Sequence, residues 1–115
     1  MRLVILESPF KAKTETEQQQ NIQYAKACML DALRRGDSPI ASHLLWPGIL
    51  DDAIPDERAL GIKAGLEWGR VAEATVVYTD RGISEGMMQG IRRAEREGRA
   101  VEYRNLASAM KKGAA

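Results

Sequence analysis

One cysteine, one histidine and one phenylalanine in 115 residues remove several kinds of chemistry at the outset. Cys28 has no second cysteine with which to form an intrachain disulfide or a thiolate metal site. Its position inside a helical pattern reads as a buried structural thiol. His43 is the only histidine, so a multi-histidine metal centre is excluded, and no cofactor or metal is expected. No apolar run approaches the length of a membrane span. The opening Met1 to Leu6 breaks at Glu7, too short for a signal peptide. The expected location is therefore the cytoplasm of a bacterium or an infecting virus. Charge of one sign is also missing: 17 Lys and Arg against 16 Asp and Glu leave a net charge of +1. The basic residues are interspersed with acids, which argues against nucleic acid as the main partner and against an acidic membrane surface.

What remains is an alternation of short apolar runs and amphipathic stretches, enough for one domain with a real core. The run Arg2 to Leu6 is bounded by Ser8-Pro9 and predicts a buried strand. The polar stretch Lys11 to Gln20 predicts a loop at its start. A helix follows, with Ile22, Ala25, Met29 and Leu33 at helical spacing, ending at Arg34, Arg35 and Gly36. Pro39 to His43 predicts a second strand. An irregular segment from Leu44 leads to Pro55-Asp56-Glu57, where proline and two acids suit a helix start. This second helix is expected to reach about Val71. Ala74 to Thr79, rich in β-branched and aromatic residues, predicts the third strand. Asp80-Arg81-Gly82 turns the chain, Ser84 caps a third helix that buries Met87, Ile91 and Ala94, and Ala100 to Tyr103 predicts a fourth strand. Strands alternating with helices require parallel pairing through right-handed crossovers. The expectation is a doubly wound α/β sheet of four to five strands in the order 2-1-3-4, spanning residues 1–105, with residues 106–115 as a tail.

In such sheets ligands bind beyond the carboxyl ends of the strands, near the switch between strands one and three. That rule selects Glu7, Ser8, Pro9 and Phe10 after the first strand, His43 after the second, and Asp80, Ser84, Gly86 and Met87 after the third. Free N–H groups at the start of the third helix, with Gly86 allowing close approach, suit phosphate or another anion. The same segment also reads as a plain strand-to-helix turn with a serine cap. Phe10 either stacks on a base or plugs the core. Asp51, Asp52 and Arg58 are further candidates in and after the long loop, as sugar contacts or as solvated charges. Gly61, Gly65 and Gly69 recur every fourth residue on one helix face. Each costs about 1 kcal/mol against alanine, so a close backbone approach is implied, against the domain's own sheet or a second subunit. With Trp68 nearby, the expectation is a homo-oligomer interface.

Three stretches together carry a resemblance: Leu6-Glu7-Ser8-Pro9-Phe10; Pro39 to Leu45 continuing to Asp51-Asp52 and Glu57-Arg58; and Gly82-Ile83-Ser84-Glu85-Gly86-Met87. Their order and spacing resemble a bacterial and phage branch of the nucleoside 2-deoxyribosyltransferase-like superfamily, over about residues 2 to 105. The resemblance implies a flavodoxin-like fold, a nucleoside or nucleotide site, and oligomers. It also implies a glutamate nucleophile four residues after Gly86, where this chain has Gly90. Glu85 lies more than a turn too early and Glu7 on a different element; these are the fallback carboxylates. Three readings follow. The first is a non-catalytic protein that senses or sequesters a nucleotide-derived molecule, a host signalling nucleotide in a phage setting. The second is an N-glycosidic-bond hydrolase or deoxyribosyltransferase using Glu7, Glu85 or Asp80. The third is a structural oligomer.

Overall fold

The computed structural model describes residues 1–46 and 48–106. Four strands, β1 (Arg2–Glu7), β2 (Asp37–Ile40), β3 (Ala74–Tyr78) and β4 (Ala100–Arg104), form one sheet in the order β2-β1-β3-β4. Every pairing is parallel. Three helices connect them: α1 (Glu15–Arg34), α2 (Pro55–Glu67) and α3 (Glu85–Arg96). Two 3-10 turns, Ser42–Leu44 and Trp68–Val71, flank α2. This is the flavodoxin-like arrangement that the alternating pattern predicts, with β1 and β3 central. The tail from residue 107 lies outside the described residues.

The pleat sorts the sheet into two faces. Val4 and Leu6 of β1 with Ala74, Val76 and Tyr78 of β3 pack on Cys28 and Ala32 of α1. On the other face Val77 packs on Met87 and Ile91 of α3. Glu7 pairs in register with Val77. Tyr78 reaches through the first face to donate a hydrogen bond to Asp31 of α1 at 2.7 Å.

Three local expectations need correction. Helix α1 begins at Glu15, earlier than the apolar spacing suggests, because the Thr14 side chain accepts from the Glu17 amide at 3.1 Å and caps it. Its buried face is Asn21, Ala25, Cys28 and Ala32, whereas Leu33 is 47% exposed. Small residues let the helix lie close to the sheet and turn the larger ones outward. Strand β2 starts at Asp37 and stops at Ile40, so His43 belongs to the 3-10 turn and not to a strand. Cross-strand pairing explains the shift: Arg2 stands opposite Asp37, and the Asp37 carboxylate accepts from Arg2 at 3.3 Å and from buried Arg104 at 2.7 Å. Pro39 is accommodated because β2 is an edge. Helix α2 ends at Glu67, and its expected last turn, to Val71, winds as 3-10.

Candidate functional site

Strand β3 ends at Tyr78, and Gly82 turns the chain with φ of 83°, a conformation that a side chain resists. Ser84 then caps α3, its hydroxyl accepting from the Met87 amide at 3.3 Å. The start of α3 faces a cleft of about 880 Å3 that carries, on its other walls, the end of β1, the 3-10 turn after β2, the long loop and α2. The cleft reaches beyond the carboxyl ends of the strands. It continues as a trough along the α2 side of the sheet down to Arg99, beside the amino end of β4.

Most of the candidates meet here. Glu7, Ser8, Phe10, His43, Ser84, Glu85, Gly86 and Met87 line the cleft, with Asp51, Asp52 and Arg58 on its loop side. The His43 Nε2 and Ser8 Oγ lie 2.8 Å apart, and the Phe10 and His43 rings are 5.8 Å apart at a tilt of 55°. Burial pulls the His43 pKa down to about 4, so the imidazole is neutral near pH 7. Phe10 therefore belongs to an aromatic corner of the cleft wall. Arg58 donates to Asp52 at 3.0 Å, and Asp51 accepts from the Ala53 amide at 2.9 Å, so these charges also order their own loop.

Asp80 and Pro9 stand outside this lining. The Asp80 carboxylate accepts from the Tyr24 hydroxyl at 2.7 Å and from the Leu106 amide at 3.0 Å, tying α1 to the end of β4. Glu85 lines the rim but is exposed. The glycine face of α2 turns inward. A Cβ at Gly61 would meet Leu50, one at Gly65 would meet Ser42, and one at Gly69 would meet Arg99. The close approach that these glycines require is thus made to the chain itself. Trp68 sits on the other side, 45% exposed.

Glu7 is the unusual titratable group. Its carboxyl lies directly over Gly90, where a Cβ would overlap it. Desolvation pushes its pKa up to about 8, and the positive charge of Arg99 holds it from going higher. Among the described residues no hydrogen bond or ion pair engages this carboxyl. Arg99 itself is well held, donating to Thr75 Oγ1 at 3.0 Å, to the Gly69 carbonyl at 2.6 Å and to Glu97 at 2.8 Å. Among the described residues the buried indole Nε1 of Trp46 also has no hydrogen-bond partner. Sequence reasoning missed Trp46, Ser42 and Arg99. The long loop around Trp46 offered a signal; Arg99 offered none, because it precedes a strand and reaches the site only through its length.

The cleft lies beyond the carboxyl ends of a doubly wound parallel sheet, the place where sheets of this class carry their crevice. The chain belongs to the family described as a domain of unknown function, DUF7768, whose model matches residues 2–104. No curated protein matches the chain. Among the described residues no group of three or more His, Cys, Asp or Glu is placed to hold a metal ion, and no helix is long and apolar enough to cross a membrane.

Proposed function

We propose that the cleft binds a nucleoside or nucleotide-like molecule, and that the protein senses or sequesters it without turning it over. One observation carries this reading: the capped start of α3 and the Phe10–His43 corner open onto a single cleft. The helix start suits an anionic group through its free N–H groups, and the aromatic corner suits a planar base. Thermal shift and calorimetry against nucleosides and their mono- and diphosphates test it. Gly86→Asp puts a carboxylate beside the proposed anion and should weaken binding by about tenfold or more, equivalent to about 1.4 kcal/mol. No binding across the panel, or affinity unchanged in that variant, would refute the assignment.

The seat of Glu7 over Gly90 favours a second reading, hydrolysis of an N-glycosidic bond. A protonated Glu7 would pass its proton to the departing base nitrogen as water adds to the anomeric carbon. The water's proton then returns to the carboxylate. Release of free base, lost in Glu7→Gln, would establish this in place of simple binding. The reading extends to self-association with a second copy of the chain, through Leu60, Trp68 and Val71 on the outer side of α2 and its following turn, all exposed.

A further inference from the structure

Glu7 ends a central strand, and its register partner Val77 packs on α3, so its side chain leaves the sheet on the α3 face. The carboxyl rests over Gly90, a buried position of α3 where a Cβ would overlap it. Glycine inside a helix costs about 1 kcal/mol against alanine, and here it makes the seat possible. Neither carboxyl oxygen has a hydrogen-bond partner among the described residues. The one described side-chain polar atom that is both sealed off and unpartnered is Trp46 Nε1. The Glu7 oxygens therefore open into the cleft that this residue lines.

Among the described residues Arg99 is the one charge that acts on this carboxyl. It does not pair with it: its Nε donates to Thr75 at 3.0 Å, and its Nη1 to the Gly69 carbonyl at 2.6 Å and to Glu97 at 2.8 Å. Val77 of β3 and Met87 and Gly90 of α3 bring no charge to it. The other charged walls of the cleft, Lys11, Asp51, Asp52, Glu57, Arg58 and Glu85, do not act on it. Burial therefore keeps the group neutral up to a pH of about 8. A neutral carboxyl holds a donor and an acceptor side by side, whereas a carboxylate offers acceptors alone. A cationic edge is disfavoured, because Arg99 already places a positive charge here. The complement is an uncharged edge with an acceptor and a donor on neighbouring atoms, as in a lactam or a ring nitrogen beside an amino group. We propose that Glu7 selects such an edge on the ligand, through paired hydrogen bonds to its two oxygens. Loss of its proton turns the donor into a second acceptor and breaks the match. This rests on the reading of the cleft as a ligand site and adds which edge it selects; the edge belongs either to the base of a nucleoside or to a free lactam.

The test is an NMR titration of the full chain, with the carbon-13 signal of the Glu7 carboxyl reporting its proton. The probes are 2-pyridone, a lactam; N-methyl-2-pyridone, which lacks the donor; and cytidine, whose base carries an edge of the same kind. None of them titrates near the Glu7 pKa of about 8. 2-Pyridone should bind below that pH and lose about tenfold in affinity about one pH unit above it, where about a tenth of the carboxyl keeps its proton. By reciprocity the bound probe should raise the midpoint at which Glu7 titrates. N-Methyl-2-pyridone should bind about tenfold more weakly or worse. Glu7→Gln keeps a donor and an acceptor without a titrating proton, so it should bind 2-pyridone equally at both pH values. Glu7→Ala should bind weakly at both, and Gly90→Ala, which shifts the carboxyl, should do the same. The spectrum shows whether each variant folds, and the Gln and Ala variants of Glu7 carry the comparison if Gly90→Ala does not. Cytidine binding with this pH dependence supports the proposal and identifies a nucleoside base as the source. Binding of 2-pyridone with no nucleoside bound supports the edge and overturns the nucleoside reading. Cytidine binding indifferent to pH and to Glu7→Ala overturns the edge and leaves the nucleoside reading standing. No binding of 2-pyridone or cytidine, equal binding of N-methyl-2-pyridone, or the same pH dependence in Glu7→Gln also overturns the proposal.

Discussion

Glu7 and His43 are half-buried, and desolvation favours the neutral form of both, so as acid and base their contributions to stability run oppositely with pH. An acid with a raised pKa holds its proton in the folded state after the unfolded chain has lost it. Glu7 therefore favours the fold fully below about pH 4.5, and that advantage drains away as the pH rises to about 8. His43, lowered from 6.5 to about 4, contributes stability that is present above pH 6.5 and lost as the pH falls towards 4. Between 4.5 and 6.5 the two slopes oppose each other. Denaturant melts over a pH series should show a shoulder there, an alkaline decline that Glu7→Gln removes and an acid decline that His43→Gln reduces. The gain from Glu7→Gln above pH 8 should be on the order of a few kcal/mol; an unchanged alkaline limb would mean that Glu7 titrates normally. Position in the sequence placed Glu7 at a strand end but gave no sign of its seat. That seat depends on a glycine 83 residues away in the chain, and only tertiary contact reveals such a pairing.

Two of the three helices, α1 and α3, begin on a hydroxyl cap, and the two caps differ in what depends on them. Thr14 caps α1 at its exposed end, whereas Ser84 caps α3 at the mouth of the cleft. Thr14→Ala and Ser84→Ala should each cost about 1 kcal/mol in chemical denaturation. Only Ser84→Ala should also weaken a nucleotide, and equal effects of the two on binding would remove α3 from the site. Ser84 was legible because it follows a clear strand and turn. Thr14 was passed over, although Glu17 three residues on gives the Thr-x-x-Glu signature of a helix start; its carboxylate accepts from the amide of Lys13, one residue before the cap, at 3.3 Å. The polar composition of residues 11–20 hid a helix whose first turns face water. The face of α1 was misread for a related reason: its contact with the sheet is made by alanine and cysteine, which a search for large apolar side chains overlooks. Strand β2 was displaced because charge pairing, not apolar pattern, sets where it starts.

At the scale of the whole molecule the alternation of runs was sufficient for topology, since parallel pairing and right-handed crossovers leave few arrangements. It was insufficient for the shape of the site, because nothing local says how closely α2 lies on the sheet. Sedimentation at micromolar concentration should show more than one chain per particle, with Trp68→Glu shifting the population towards monomer; a monomer throughout would remove self-association. The three glycines of the α2 segment have a further consequence, in time and not in space. Only Gly65 is buried in α2, while β3 is buried along its whole length. Such a helix draws little protection from its neighbours and opens locally without unfolding the rest. Its amide hydrogens should exchange with deuterium well before those of β1 and β3, and a molecule filling the trough should slow that exchange in residues 55–67 first. The clock of this protein is then set by its thinnest-packed helix, and the residence time of anything held beneath it is the interval between openings.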